Sequence, residues 1–202
     1  ENGSRRLLDE LAAGQLDLAL ITTSDATSAD RFTVSPLLVE ELVVISAAAS
    51  PPLTGRGSIR LADVAALPQI VFSPSYDLRT TTDAAFAAAG LTPVVVLEGA
   101  EMDAVLRFVE RGLGIAIVPA MVLIDRPGLR SVRLAAPALA ASGLAAPALT
   151  RTISLARPAD ARPTAAVGVM QRTIAATATA FATRAGATMR LAAPPADSGS
   201  SN

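Results

Sequence analysis

The 202-residue chain has no cysteine, histidine or tryptophan, and all 17 of its basic residues are arginine, so lysine is also absent. Without cysteine it has neither a disulfide framework nor a thiolate nucleophile. Without cysteine and histidine it has none of the usual zinc sites and no Ser-His-Asp triad. The absence of lysine excludes a Schiff base and a lysine-containing phosphate loop. The composition therefore favours a protein that is not an enzyme and that holds neither a metal nor a cofactor.

Charge and hydropathy also limit the partners of the chain. It has no apolar run of about 18 residues, so no transmembrane helix and no membrane partner are expected. No signal-peptide pattern stands at its start, which favours a cytoplasmic location. The net charge is −1, and the arginines are spread among acidic residues. A protein that grips duplex DNA normally carries a clustered basic face, so this chain is not expected to bind DNA by itself.

Apolar periodicity predicts strands that alternate with helices. The clearest helix spans 101–111, where Met102, Val105, Leu106 and Val109 recur at i, i+3, i+4 and i+7. Further helices are predicted at 4–13, 60–66, 78–89 and 163–186, and strands at 16–21, 40–45, 69–72, 93–97, 115–118 and 151–156. Because strands and helices alternate, the predicted class is α/β, with mostly parallel sheets and helices on both faces.

Several short motifs follow one another in a characteristic order. They are Gly14-Gln15-Leu16-Asp17-Leu18-Ala19, Glu41-Leu42-Val43-Val44, Leu61-Ala62-Asp63-Val64, Gly112-Leu113-Gly114 and Arg151-Thr152-Ile153-Ser154-Leu155. In this order and spacing, over residues 4 to 185, the chain resembles the effector-binding (substrate-binding) domain of LysR-type transcriptional regulators. The resemblance implies a two-lobe fold of the type II periplasmic-binding-protein kind, with two crossover strands that join the lobes.

The resemblance also predicts a division of the chain. Lobe I comprises 1–46 and 150–186, and lobe II comprises 47–133. Segments 41–46 and 151–157 are expected to lie side by side as the crossover. Between the lobes, 134–149 is an Ala/Pro-rich loop in which Leu-Ala-Ala-Pro-Ala-Leu occurs twice. The tail, 187–202, is expected to be disordered.

The implied function is that of a ligand-sensing regulatory domain in a bacterial transcription factor. A small-molecule effector binds between the lobes and acts allosterically on a DNA-binding helix-turn-helix domain that is not in this chain. The intact protein is expected to be a homodimer or homotetramer. The chain resembles a domain truncated at its N-terminus. The alternative is a periplasmic-type solute-binding protein, which has the same two-lobe architecture.

In doubly wound sheets, ligands bind beyond the carboxyl ends of strands, and three such places are visible in this chain. Thr22 and Thr23 follow one strand, the segment 73–76 follows another, and 99–102 opens the clearest helix. Free N–H groups at helix starts favour a carboxylate or phosphate, and Arg79 could pair such a group bidentately. We therefore expect a small anionic metabolite. The candidate ligand-binding residues are Thr22, Thr23, Ser73, Ser75, Tyr76, Arg79, Gly99, Ala100, Met102 and Val118.

Each candidate residue also has an ordinary structural role open to it. Serine and threonine before helices commonly act as caps, Arg79 could be a solvated helix charge, and Met102 could belong to the core. Val118 could simply mark the end of a strand. Glu101 would repel an anion at the start of its helix, which counts against an anionic ligand at that corner.

Overall fold

The computed structural model describes residues 4–23, 31–74, 76–135 and 149–193. Within these residues the helices are α1 (Ser4–Ala12), α2 (Leu61–Ala65), α3 (Asp77–Ala88), α4 (Met102–Glu110) and α5 (Ala165–Ala185). The strands are β1 (Ala19–Thr23), β2 (Phe32–Ala47), β3 (Ser58–Ile59), β4 (Pro68–Phe72), β5 (Val94–Gly99), β6 (Ala116–Pro119), β7 (Leu129–Leu134), β8 (Thr150–Pro158) and β9 (Met189–Leu191). Short 3-10 turns span Ala120–Leu123 and Gly186–Thr188.

The chain divides into two compact units. The first comprises 1–40 and 151–202, and the second comprises 41–150. The chain thus leaves the first unit after Glu40 and returns to it at Arg151. The long strand β2 contributes residues to both units, and β8 is its neighbour in the strand order. The divisions between units fall at 40/41 and 150/151, whereas the sequence suggested 46/47 for the first of them.

The first unit is built around the packing of α1 on β1. Leucines at three positions of α1 face one side of the helix, and one of them, Leu11, is only 1% exposed. It shares a core with Ile21 of β1 and Phe32 of β2. The helix ends because Gly14 adopts a left-handed conformation, with φ of 69°, that other residues adopt at a cost. β1 runs antiparallel to β8. This pairing joins the N-terminal segment of the unit to its C-terminal segment.

The second unit contains the β4–α3–β5 crossover and the helix–turn–strand segment that follows it. β4 and β5 are parallel, and β4 also bridges to Ile115, just before β6. The apolar stripe of α4 is fully buried at Val105, Leu106 and Val109. Burial of each such side chain stabilises the fold by about 1.5–3 kcal/mol. The apolar residues whose spacing predicted α4 are therefore the ones that pack it against the core of this unit.

The predicted α/β class is confirmed, but the prediction of mostly parallel sheets is wrong in detail. Among the described strand pairs with a resolved register, β1–β8, β2–β6, β2–β7 and β2–β9 are antiparallel. β3–β7 and β4–β5 are parallel. The reason is that β2 is much longer than expected and pairs with several strands that run back against it.

The tail prediction is also wrong over part of its length. Met189–Leu191 forms β9 and pairs with Leu38–Glu40 of β2, and Met189 is 4% exposed. An apolar residue at the start of this short segment anchors it on the sheet. The remainder of the predicted tail from 194, and most of the Ala/Pro-rich loop (136–148), lie outside the described residues.

Candidate functional site: the β4–β5 rim

In the second unit, the carboxyl ends of β4 and β5 meet the beginnings of α3 and α4. Phe72 lies opposite Gly99 in the parallel register, and the N–H of Ser73 donates to the carbonyl oxygen of Gly99 at 3.1 Å. The ladder therefore continues one residue beyond β4 and holds the two following loops next to each other. We call the cluster at this edge the β4–β5 rim; it consists of Ser73, Tyr76, Gly99, Ala100, Glu101 and Met102.

Tyr76 connects the two loops of the rim. It stands immediately before α3, its N–H donates to the carbonyl oxygen of Ser73 at 3.0 Å, and its ring packs on Phe72 with centroids 5.3 Å apart. Its hydroxyl donates to Oε2 of Glu101, which precedes α4, over a long hydrogen bond of 3.4 Å. The ring is held by the core while the phenol reaches the charged edge, a common use of tyrosine at sites that are apolar on one side and wet on the other.

Gly99 is required by the packing of α4. A Cβ at this position would lie 2.5 Å from Cγ2 of Val105, which is fully buried. The absence of a side chain lets the first turn of α4 approach the end of β5. Met102 opens α4, is half-buried and packs against the core of the second unit, whereas Ala100 is exposed. Next to Tyr76, the β5 side of the rim therefore begins with the two small residues Gly99 and Ala100, which Glu101 and Met102 follow.

Arg79 is engaged by three groups of the protein. Its Nε donates to Oδ2 of Asp83 at 2.7 Å, and its Nη1 donates to the carbonyl oxygen of Phe72 at 2.8 Å and to Oε2 of Glu98 at 3.2 Å. Burial by itself would lower the pKa of Arg79, but hydrogen bonds and the charges of Asp83 and Glu98 outweigh it and raise the pKa above its ordinary value. The guanidinium thus joins β4, β5 and α3.

The carboxylates around the rim differ in their partners. Glu98 is paired with Arg79, and Asp103 is paired with Arg126 at 2.5 Å. Among the described residues, no basic side chain forms an ion pair with Glu101, which accepts a hydrogen bond from the Tyr76 hydroxyl. The rim therefore offers neutral donors and, among the described residues, one carboxylate that forms no ion pair, at the corner where the sequence predicted that Glu101 would repel an anion.

Two of the predicted ligand-binding residues lie in the first unit. Thr22 is half-buried near the end of β1, and its N–H donates to Oγ of Ser4 at 3.1 Å. The hydroxyls of the same two residues are 2.9 Å apart. Thr23 ends β1. Ser4 was not among the predicted residues, although a short loop between α1 and an adjacent strand already implies that the helix start lies near the strand end.

The remaining two predicted ligand-binding residues, Val118 and Ser75, are not part of the rim. Val118 is fully buried in β6, opposite Val43, so its side chain belongs to the core. Ser75 lies outside the described residues. The structure thus brings together Ser73, Tyr76, Gly99, Ala100 and Met102, and Arg79 of α3 binds the Phe72 carbonyl and Glu98 on the two strands that lead into them.

The chemistry available at the rim consists of hydrogen bonding and charge. In the described part of the chain, no three acidic or other ligating residues are grouped so that they could hold a metal ion.

Among the described helices, none combines the length and the apolar character that crossing a bilayer requires.

Two curated relatives illustrate the similarity at the sequence level. An uncharacterized HTH-type transcriptional regulator, YybE of Bacillus subtilis, is 33% identical over 137 residues, which cover 68% of this chain and 46% of the relative. A probable nitrogen assimilation transcriptional activator of Synechococcus elongatus is 29% identical over 158 residues, 78% of this chain and 49% of the relative. The chain spans about half the length of these relatives, and both are transcriptional regulators.

Solved structures show the same fold at low sequence identity. The effector binding domain of QuiR in complex with shikimate superposes with a TM-score of 0.67 at 22% identity, and the match covers 89% of this chain and 79% of QuiR. The regulatory domain of Synechocystis PCC6803 CcmR in complex with 2-PG gives 0.69 at 16% identity, over 87% and 80% of the two chains. These likenesses confirm the predicted type II periplasmic-binding-protein-like fold.

The family model described as the LysR substrate binding domain matches residues 1–179. This match favours the regulator over the alternative of a periplasmic-type solute-binding protein. The chain therefore belongs to the LysR substrate-binding domain family, the ligand-sensing regulatory domains of LysR-type transcriptional regulators.

Proposed function

We propose that this domain senses a small, carboxylate-bearing metabolite for a bacterial transcription factor and transmits its binding to a helix-turn-helix domain outside this chain. The observation that carries the proposal is the family match over residues 1–179. Effector-bound relatives of the same fold support it. The domain itself carries a net charge of −1, so DNA contact is assigned to the other domain.

The β4–β5 rim is the proposed ligand site in the second unit. The start of α3 presents N–H groups and a partial positive charge, and a carboxylate is stabilised at such a position. Ser73 and Tyr76 add polar side chains at the same edge. The predicted direct ion pair with Arg79 is replaced in this proposal by neutral donors, because Asp83, Glu98 and the Phe72 carbonyl already engage that guanidinium. In the first unit, considered by itself, Thr22 and Thr23 remain candidate ligand-binding residues.

The proposal describes binding without catalysis. No histidine, cysteine or lysine is available as a general base or nucleophile. The ligand acts only through its different affinities for two arrangements of the regulator, a coupling typically of about 1–3 kcal/mol. We propose a homodimer or homotetramer in the intact protein, located in the cytoplasm because its target is bacterial DNA.

A thermal-shift panel of small carboxylic acids tests the proposal. A ligand at 100 times its dissociation constant should add about 2.7 kcal/mol to the free energy of unfolding. Ser73→Ala should weaken the binding of any stabilising compound. Ser131→Ala is the matched control, because Ser131 is an exposed serine on β7, which pairs with β2 and β3 rather than with the β4–β5 sheet. A panel in which no compound stabilises the domain would overturn the proposal.

A further inference from the structure

We infer that Glu101 is a specificity-determining residue that makes the site require a hydrogen-bond donor on its ligand. The inference rests on the proposed function and narrows it. The ligand class becomes a small carboxylate that also carries a hydroxyl or ammonium group, and Glu101 accepts a hydrogen bond from that group. A carboxylate without such a donor is disfavoured.

The first support is the position of the Glu101 side chain. Glu101 stands immediately before α4 in an extended conformation, with φ of −125° and ψ of 144°, and its side chain makes no capping hydrogen bond to the helix. A carboxylate at this position often turns back to accept N–H groups of the first turn. Here the residue is exposed, and Oε2 is oriented towards the Tyr76 hydroxyl across the rim. The carboxylate therefore borders the space that a ligand at the rim would enter.

The second support is the distribution of charge around it. Among the described residues, two arginines reach this edge of the unit, and both are paired: Arg79 with Asp83 and Glu98, and Arg126 with Asp103. Glu101 forms no ion pair among the described residues. An incoming carboxylate beside Glu101 would meet a like charge that no neighbouring cation offsets. A hydroxyl or ammonium group would instead donate to an acceptor whose hydrogen bond from Tyr76 is long, at 3.4 Å.

The two ends of the proposed ligand thus go to different parts of the rim. The donor group faces Glu101 and the start of α4. The carboxylate is left to neutral donors such as Ser73, on the loop that follows β4. Tyr76 contacts both Ser73 and Glu101. Because its hydroxyl orients the Glu101 carboxylate, Tyr76 is a positioning residue for the selection of ligands that carry a donor group.

The test measures a ratio of affinities within each variant, because loss of folding lowers both affinities together and leaves the ratio unchanged. The probes are matched pairs, lactate with propionate and quinate with cyclohexanecarboxylate, measured by calorimetry or saturation-transfer NMR. The wild-type domain should bind the hydroxylated member of a pair at least about tenfold more tightly. Glu101→Ala should bring the ratio of the two affinities to about one. Glu101→Gln should also reduce this ratio, because loss of the negative charge restores binding of the acid without a hydroxyl group. Tyr76→Phe should reduce it by a smaller factor.

Glu110→Gln is the matched control. It removes the same charge from the opposite end of α4 and should leave the ratio at its wild-type value. If Glu101→Ala keeps the wild-type ratio, or loses both members of a pair equally while remaining folded by circular dichroism, the inference is overturned. If no probe and no other small carboxylate binds the wild-type domain, the proposed function fails, and the inference fails with it.

Discussion

Arg151 donates from Nε to Oε1 of Glu40 at 2.7 Å, and the Glu40 side chain is completely buried. Glu40 is the last residue of the first segment of the first unit, and Arg151 is the first residue of its second segment. The pair therefore fastens the two segments at the point where the chain leaves and re-enters the unit. A buried carboxylate is tolerated only with a partner, because its transfer from water is costly.

Arg151→Met should be strongly destabilising, by about 3–5 kcal/mol, because it removes the guanidinium that pairs with the buried Glu40 carboxylate. Chemical denaturation followed by circular dichroism measures the change. Arg6→Met is the control: its partner is Glu10 and its side chain is 71% exposed, so its loss should cost less than about 0.5 kcal/mol. The double variant Glu40→Met with Arg151→Met should recover most of the stability. Equal effects of the two arginine substitutions would contradict this account.

Gly99→Ala should destabilise the second unit by about 1–3 kcal/mol, because the new methyl group overlaps a buried valine that has no flexible end to move. The distance to Cγ2 of Val105 would be 2.5 Å. Gly57→Ala serves as the control, since nothing lies within 4 Å of a Cβ placed there. Thermal unfolding distinguishes the two variants. A Gly99→Ala variant as stable as Gly57→Ala would show that α4 does not pack closely on the end of β5.

Arg79→Met should cost about 1–3 kcal/mol, as expected for hydrogen bonds that involve charged groups. The Arg79 side chain is only 20% exposed, and its guanidinium links Asp83, Glu98 and the Phe72 carbonyl. Arg107→Met, an exposed position on α4, is the comparison and should be near neutral. Urea unfolding midpoints provide the measurement. If both substitutions are neutral, Arg79 does not join the strands to α3.

The pKa of Asp63 should be lower than its ordinary value, first because Arg60 donates a side-chain hydrogen bond to it. Since the folded-state pKa is depressed, the pairing is present above the ordinary pKa and is lost as the pH falls through the lowered value. NMR titration should show the Asp63 pKa rising back towards the ordinary value of an aspartate in Arg60→Met. Arg56→Met removes the smallest of the contributing charges and should change the pKa little. A titration of Asp63 that is unaffected by loss of Arg60 would contradict the pairing.

Local patterns predicted the elements that bury a regular stripe. α4 was predicted from its 3.6-residue period because three of its apolar positions are fully buried. β7 was missed because only Leu129 and Leu134 of its six residues are buried, while three of the four residues between them are polar. It is held in place by pairing with β2, whose residues lie more than 80 positions away in the chain. Such pairing leaves no local signature.

At the rim, too, some contacts could be predicted from the sequence, while those that depend on distant residues could not. That Ser73 and Gly99 would be neighbours followed from the rule that carboxyl ends of parallel strands meet at one edge. The pairing of Arg79 with Glu98 did not follow, since Glu98 is 19 residues away and its position depends on a register shift in the β4–β5 pair. Sequence reasoning could place an arginine near the site but could not show that other groups already engage it.

The most direct test of the central claim is NMR mapping of a stabilising carboxylate on the backbone-assigned domain. The account predicts saturable chemical-shift changes that are largest at the amides of Ser73, Tyr76, Gly99 and Glu101. Changes confined to positions remote from this edge, such as β7, with the rim amides unmoved at saturation, would contradict it.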